Sequence, residues 1–218
     1  MRGIRCHMIL PPNRAGGREN PHAFPTDWPY HLATEPNRTE AAMPLQHRLI
    51  QNAYVVNDID VAIQQWHALW GLGPFFVRRH IVMQQVMYRG AVSSIDISAV
   101  YVQAGPIQVE LVQQHCSSAS AFRDMFPAAQ EGFHHVAVIP DDYDRTLADY
   151  ASLGCAVATE VRTASGRGAA FIDTRPMIGH MVEVYIPGDG IHQLYRSVAA
   201  AAASWDHKQL TIELDPAT

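Results

Sequence analysis

The stretch Gln51-Asn-Ala-Tyr-Val-Val-Asn-Asp-Ile-Asp60 decides the fold, because the chain repeats its pattern in His135-Val-Ala-Val-Ile-Pro-Asp-Asp-Tyr-Asp144. Each copy starts with a polar side chain that carries nitrogen or oxygen, continues through apolar residues and ends on Asp-x-Asp. Apolar residues at helical spacing follow both copies, with Trp66 corresponding to Tyr150. The sequence therefore predicts a tandem duplication.

Each copy has the pattern of a strand that leads into an amphipathic helix. In the first half Asn57-Asp58 offers a helix cap, and Gly71-Leu-Gly-Pro74 ends the helix because proline cannot continue it. Three strands are predicted after each helix: near 84–88, 95–103 and 107–114 in the first half, and near 156–162, 167–173 and 178–186 in the second. We therefore predict an α+β protein made of two tandem βαβββ modules, with these segments: 1–44, 45–116 (first module), 117–131 (linker), 132–187 (second module) and 188–218 (C-terminal helix and tail).

Residues 1–44 hold half of the chain's prolines and lack apolar periodicity, which predicts an extended arm. Met43 directly precedes the first periodic segment, so translation that starts there is one interpretation. The other is an arm that wraps a partner subunit through Phe24, Trp28 and Tyr30. On both interpretations we expect these residues to contribute little to a catalytic centre.

Composition narrows the class of partner. The 218 residues carry a formal net charge of -5 and contain no block of basic residues, which argues against a nucleic-acid groove. The three cysteines lie far apart and form no CxxC motif, which favours a reducing compartment. No apolar run has the length of a signal-peptide core or a membrane span. We therefore expect a cytoplasmic protein with a small-molecule partner.

Four polar residues occupy matching positions in the two halves. Glu110 lies within Ile107-Gln-Val-Glu-Leu-Val and Glu183 within Met181-Val-Glu-Val-Tyr-Ile, and an unpaired carboxylate would be costly to bury in such strands. Each carboxylate could instead pair with an arginine or face solvent. Together with Gln51 and His135 they form a set of oxygen and nitrogen ligands that admits Zn2+, Ni2+, Mn2+, Co2+ or Fe2+.

His134 adjoins His135 in the predicted strand. Because successive side chains of a strand point to opposite faces, we expect His134 to point away from the candidate site.

The pattern from Leu45 to Pro187 resembles the vicinal oxygen chelate superfamily, which contains glyoxalases, methylmalonyl-CoA epimerases, extradiol dioxygenases and bleomycin-resistance proteins. This resemblance implies paired modules whose curved, cupped mixed sheet surrounds a metal site. It also implies one ligand on the first and one on the last strand of each module. In this chain those residues are Gln51, Glu110, His135 and Glu183, a set similar to that of eukaryotic-type glyoxalase I.

The chain departs from glyoxalase I at two positions. That type carries an arginine four residues after its glutamine and an asparagine four residues after its first glutamate, and both bind glutathione. Here those positions hold Val55 and Gln114, which argues against glutathione as the substrate. Gly73-Pro-Phe-Phe76 resembles a glyoxalase-like subgroup that is not tied to a single activity.

The resemblance implies a metal-dependent lyase or isomerase that abstracts a proton next to a carbonyl and stabilises the enolate. We expect Glu183 to be the base, with Glu110 as the alternate, and we expect a homodimer. Candidate substrate-binding residues are Tyr54, Phe75, Arg78, Tyr88 and Tyr101. One alternative is a non-catalytic protein that binds a hydrophobic small molecule. Another is an extradiol dioxygenase, which needs two histidines and one carboxylate where this set has one histidine.

Overall fold

The two repeats form the two halves of one mixed sheet. The computed structural model of the chain describes residues 47–216. The predicted arm, residues 1–44, lies outside the described residues. In chain order the first half contains β1 (Gln51–Val55), α1 (Ile59–Trp70), β2 (Phe75–Arg78), β3 (Gln85–Tyr88), β4 (Ala91–Val92), β5 (Ile97–Ala104) and β6 (Ile107–Gln114).

A short helix connects the halves, and a helix and a strand follow the second half. The remaining elements are α2 (Ala121–Met125), β7 (Gly132–Val138), α3 (Tyr143–Ser152), β8 (Val157–Arg162), β9 (Gly168–Ile172), α4 (Arg175–Ile178), β10 (Met181–Tyr185), α5 (Asp189–Ala203) and β11 (Thr211–Leu214).

The described strands form a curved, open sheet in the order β11-β2-β5-β6-β1-β7-β10-β9-β8-β3-β4. The pairs β1/β6, β7/β10 and β2/β11 are parallel, and the other pairs are antiparallel. The halves meet where β1 pairs with β7, so the two modules pair within one chain. The predicted α+β class with a curved mixed sheet is confirmed.

The first helix begins and ends where the sequence predicts. The Asp58 carboxylate accepts hydrogen bonds from the backbone N–H groups of Asp60 and Val61, and this satisfies donors that have no partner inside the helix. Gly71 ends the helix with a φ of 65°, a left-handed conformation that glycine adopts without steric cost.

The first half differs from the predicted module in the strands after α1. Phe75–Arg78, which the sequence analysis did not assign to a strand, pairs with β5 as β2. The predicted strand near 84–88 does form, as β3, but it pairs with β8 of the second half. The chain between β2 and β3 therefore crosses from one end of the sheet to the other. Strand pairing across the halves has no local sequence signal, which is why periodicity could not reveal it.

The linker and the C-terminal segment also carry structure that the sequence analysis left open. Residues 117–131 contain α2, whose N-cap Ser120 accepts a hydrogen bond from the Arg123 N–H. The predicted strand from 178 is shorter, because α4 with Pro176 in its first turn precedes β10. The C-terminal strand β11 pairs in parallel with β2.

Three apolar clusters hold the sheet between its helices. Helices α1 and α3 cover one face of the sheet, which we call the outer face, with Ile63 and Tyr143 in separate clusters. Helix α5 packs against the opposite face, the inner face, where Val198 joins a cluster that includes Phe122 and Phe171. Within the described part of the chain, no helix has both the length and the apolar character that crossing a membrane requires.

Phe122 should be a main support of the inner face. Its side chain is 2% exposed and its ring centroid lies 4.8 Å from that of His134 and 5.0 Å from that of Phe171. We expect Phe122→Ala to lower the free energy of unfolding by about 3–5 kcal/mol, because it leaves a cavity among close-packed rings. Urea unfolding of the full chain measures this. Leu69→Ala is the control, since Leu69 is 74% exposed, and equal small losses for both variants would contradict this role of Phe122.

Candidate metal centre and cavity

Strand pairing aligns the four candidate ligands in two adjacent rows across the sheet. Glu110 of β6 and His135 of β7 both pair with Ala53 of β1. Gln51 of β1 and Glu183 of β10 both pair with the same residue of β7. Paired residues share a face, and the two rows lie two residues apart along each strand. All four side chains therefore lie on the inner face.

Three of the four side chains converge. The His135 Nε2 lies 3.1 Å from Glu183 Oε2 and 3.4 Å from Glu110 Oε2. His135 is fully buried, and Glu110 and Glu183 are only 6% and 5% exposed. One ligand atom from each residue lies within 4.8 Å of the other two. Two carboxylates thus share one imidazole in a buried site.

His134 does not point away from this site, so the expectation from strand alternation is wrong. The pairing of β1 with β7 shifts between Ala53, which pairs with His135, and Tyr54, which pairs with Phe133. His134 is therefore the extra residue of a β-bulge, which interrupts alternation and redirects the side chain. Its Nδ1 lies 2.8 Å from the Nδ1 of His135.

The hydrogen bonds of His134 fix which nitrogen of His135 faces the carboxylates. The His134 Nε2 lies 3.0 Å from the Ala121 carbonyl oxygen, and because a carbonyl only accepts, this nitrogen donates. Burial, and then the nearby His135, hold the pKa of His134 well below its usual range, so its Nδ1 is an acceptor. The His135 Nδ1 therefore donates to it. This leaves the His135 Nε2 directed at Glu110 and Glu183, as is typical of metal-ligating histidines.

In the protein without metal, His135 supplies a positive charge beside the two carboxylates. Burial lowers the pKa of His135, but hydrogen bonds and charge from Glu110 and Glu183 outweigh it and raise the pKa to about 9. The imidazole therefore carries a proton on its Nε2 at neutral pH. Burial also raises the pKa of Glu110, and the charge of Glu183 acts in the same direction.

These residues fit a divalent metal ion. Two carboxylates and one imidazole are ligands that Zn2+, Mn2+, Fe2+, Co2+ and Ni2+ accept. Burying two carboxylates requires a compensating positive charge, which the single imidazolium supplies only in part. Glu110, His135 and Glu183 could therefore hold such an ion.

Gln51 lies beside this group and is held by two other side chains. The Tyr185 hydroxyl donates to its Oε1 at 3.1 Å, and its Nε2 donates to the Gln108 Oε1 at 3.3 Å. A carbonyl oxygen has two lone pairs, so this contact with Tyr185 leaves one of them for a ligand. The role of Gln51 as a metal ligand stays a prediction.

A cavity opens above the two glutamates. The space between its walls measures about 790 Å3, with the solvent at its open mouth included. Its walls come from β2, β5, β6, β8, β9 and β10, from the chain that crosses between β2 and β3, from the β8–β9 connection with Arg167, and from α2 and α5. Most lining residues are apolar, and they include Ile81, Met83, Ile97, Phe122, Ile191 and Leu194.

The structure places two of the five candidate substrate-binding residues, Arg78 and Tyr101, in the walls of this cavity. It does not bring the other three there. Phe75 is fully buried in the cluster beneath α1, because it alternates with Phe76. Tyr54 packs against Trp66, with ring centroids 5.0 Å apart.

Tyr88 is the third residue placed elsewhere. It lies on β3 at the far end of the sheet, where its hydroxyl donates to the Asp124 carboxylate at 2.7 Å.

Sequence reasoning missed three residues that contact the candidate ligands: His134, Gln108 and Tyr185. Gln108 and Tyr185 lie two positions from Glu110 and Glu183 along their strands, so alternation alone would have placed them on the same face. No comparable signal identifies His134, because a bulge depends on the pairing of two distant strands.

A second group of potential ligands lies at the surface. His80, Asp96 and His115 also offer atoms within 4.8 Å of one another. The His80 Nδ1 lies 2.8 Å from Asp96 Oδ1, and the His80 and His115 rings stack with centroids 4.3 Å apart. Because a metal ion binds in the plane of an imidazole ring, two stacked rings would have to turn before they shared one ion.

The family of the chain follows from its sequence match. A family model of the Glyoxalase/Bleomycin resistance protein/Dioxygenase superfamily matches residues 50–171, which is more than half of the chain. The chain belongs to this superfamily, and the resemblance drawn from the repeats is confirmed. No curated protein sequence matches the chain significantly.

Several solved structures are similar in fold. The methylmalonyl-CoA epimerase of Mycobacterium tuberculosis is 18% identical, with a TM-score of 0.44 over 66% of this chain and 91% of that one. A methylmalonyl-CoA epimerase in complex with methylmalonyl-CoA and NH4+ is 17% identical, with a TM-score of 0.45 over 65% and 95%. A Streptomyces coelicolor epimerase variant in complex with 2-nitronate-propionyl-CoA gives the same values. At such identities the likeness extends to the fold alone.

Metal binding at this site should release protons. The His135 Nε2 carries a proton below its pKa of about 9, and an ion that binds this nitrogen must displace it. We expect Zn2+ binding to the metal-free chain at pH 7.5 to release about one proton or more, and its apparent affinity to fall as the pH is lowered. Calorimetry in buffers of different ionisation enthalpy measures the proton count.

His115→Ala is the control for this measurement, because it alters only the surface group. Its proton release should match that of the unmodified chain. Zn2+ binding without proton release, or release abolished by His115→Ala, would show that the ion binds elsewhere.

Proposed function

We propose that the protein is a metal-dependent lyase or isomerase of the glyoxalase and epimerase type. It removes a proton from a carbon next to a carbonyl group. The observation that carries this proposal is the convergence of Glu110, His135 and Glu183 at the base of a mostly apolar, partly enclosed cavity. A divalent metal ion held by these residues would supply Lewis-acid stabilisation of the developing oxyanion.

Glu183 is the group proposed to accept the proton. When the C–H bond breaks, its electron pair moves toward the carbonyl oxygen and the proton passes to a Glu183 carboxylate oxygen. Burial and the charge of Glu183 raise the pKa of Glu110. A raised pKa favours the protonated form of Glu110, which is the form that can return a proton, and we assign the role of base to Glu183.

The apolar cavity walls favour this proton transfer, because they limit the access of water to the two glutamates. A carboxylate is a stronger base where few water molecules solvate it, and apolar side chains surround both glutamates. Tyr101 and Tyr185 keep their hydroxyl protons, because burial raises the pKa of both phenols above the usual range. Both can therefore donate hydrogen bonds at neutral pH.

What happens to the intermediate after the proton is removed distinguishes an isomerase from a lyase. If Glu110 returns a proton to the opposite face of the carbon, the configuration inverts and the reaction is an epimerisation. If the intermediate expels a neighbouring group instead, the reaction is an elimination. Glu110 and Glu183 lie on β6 and β10, with His135 on β7 beside both, and this supports two proton-transfer groups at one centre.

The second candidate is a non-catalytic binding protein of the same fold. The apolar cavity favours this function as well, since it could hold a hydrophobic molecule without any reaction. Metal content and proton exchange distinguish the two functions. An extradiol dioxygenase is disfavoured, because His134 uses both ring nitrogens in contacts with Ala121 and His135 and so adds no second histidine ligand. The expected homodimer and cytoplasmic location stay predictions.

Replacing Glu183 by Gln removes the charge and basicity but keeps the size and one potential ligand oxygen. We expect Glu183→Gln to slow exchange of the substrate's carbon-bound proton by about 10²-fold or more, the usual scale for a lost general base. Exchange into D2O is followed by NMR on a panel of acyl thioesters and 2-oxo compounds with the metal-loaded chain.

Glu110→Gln is the matched variant. It should lose metal affinity more than rate at saturating metal. Equal, small effects of both replacements would reject the assignment of the base, and absence of exchange with every compound of the panel would favour the binding protein.

A further inference from the structure

Arg78 is a cationic side chain in the cavity wall, and none of the described residues forms an ion pair with it. It ends β2 and pairs with Ala99, which lies two residues from Tyr101 on the inner face. Its Nε is buried and makes no hydrogen bond, and within residues 47–216 its guanidinium forms no ion pair. Buried polar groups are nearly always paired, so such an arginine indicates a missing ligand.

Its neighbour Arg79 shows the contrast. Arg79 points to the other face and forms ion pairs with Asp60 at 2.6 Å and Glu213 at 3.4 Å. Two carboxylates therefore match the charge of Arg79 outside the cavity, whereas no described carboxylate forms an ion pair with Arg78.

Neither of the two cavity carboxylates is an ion-pair partner of Arg78. Glu110 and Glu183 both face His135, and neither forms a salt bridge with Arg78. A divalent ion bound by these glutamates would balance their two charges and leave the charge of Arg78 uncompensated. An anionic group of the bound molecule is then the natural partner of the guanidinium.

Pairing geometry sets the spacing between this cation and the glutamates. Only β5 separates β2 from β6, and Arg78 and Glu110 are offset by two positions, so their Cα atoms are about 12 Å apart or less on the curved sheet. Both side chains extend over the inner face and reduce that separation. A molecule that contacts both groups thus carries its anionic group within a few bonds of the reacting carbon.

The rest of the cavity accepts an apolar body. Ile81 and Met83 cover one side, and Ile191 and Leu194 of α5 cover another. The other cationic side chain of the walls, Arg167, donates from its Nε to the Ser165 hydroxyl at 3.2 Å, and the Thr163 hydroxyl donates to the Arg167 carbonyl oxygen. Burying apolar ligand surface there stabilises the complex, by roughly 25 cal/mol per Å2 of area removed from water.

We propose that the site takes apolar molecules that bear one carboxylate or equivalent anionic group, which Arg78 binds beside the reacting carbon. The position of the reacting carbon rests on the proposed function. The recognition of an anionic, apolar ligand rests on Arg78 and the cavity walls alone.

Binding of three probe molecules to the full chain tests the proposal that the ligand is apolar and carries one anionic group. Octanoate combines the apolar chain with the anion, octanamide lacks the charge, and propionate lacks the chain. We expect octanoate to bind at least tenfold more tightly than either of the others, since a hydrogen bond to a charged group has an effect of this size. Calorimetry measures the three dissociation constants, with and without EDTA.

Arg78→Met should weaken octanoate binding by tenfold or more and leave octanamide binding unchanged. Arg78→Lys should retain part of the preference. Arg79→Met is the matched control and should bind all three probes as the unmodified chain does. If the Met variant does not fold, the octanoate to octanamide ratio of the unmodified chain and the Lys variant still decide the question.

The result that overturns the inference is equal affinity for octanoate and octanamide, or equal effects of the Met replacements at positions 78 and 79. The experiments distinguish a failure of the proposed ligand class from a failure of the proposed reaction. An Arg78-dependent preference for octanoate without proton exchange on any 2-oxo acid would support the ligand class and reject the enzyme. Exchange on uncharged ketones without that preference would do the reverse.

Discussion

Two carboxylates buried against one imidazole are the constraint on which the inner face depends. Glu110 and Glu183 lie within hydrogen-bonding range of a single nitrogen of His135, in a site that water barely reaches. Such a group is stable only with a compensating positive charge, either a proton on His135 or a metal ion. On the proposed function the same two carboxylates would also take part in the reaction, because a desolvated carboxylate beside a bound divalent ion could accept a proton from carbon.

The architecture supplies this arrangement from several separate elements. The central strands β6, β1, β7 and β10 carry the candidate ligands in adjacent rows. The bulge at His134 gives His135 a hydrogen-bond partner that sets its orientation, and α2 supplies the carbonyl that orients His134. Helix α5 and the segment between β2 and β3 then cover the site with apolar side chains. Packing thereby limits the conformational freedom of the candidate ligands on the sides away from the cavity.

Sequence alone predicted the duplication and the α+β class, because the repeats carry local periodicity. The matched positions predicted a site of Gln51, Glu110, His135 and Glu183, of which the last three converge. It did not predict that β3 would pair with β8, or that His134 would share the face of His135. Both depend on which distant strands become neighbours, and periodicity within a segment does not contain that information. Tyr54 and Phe75 were misplaced for a simpler reason: the sequence does not show which of two alternating faces is the inner one.

Anomalous diffraction from a crystal of the full chain soaked in Zn2+ or Mn2+ tests the central claim most directly. The account predicts a strong peak bounded by Glu110, His135 and Glu183, with the His135 Nε2 directed at it. The peak should disappear in Glu110→Gln/Glu183→Gln crystals. A peak only at His80, Asp96 and His115, with none between the two buried glutamates, would contradict the account.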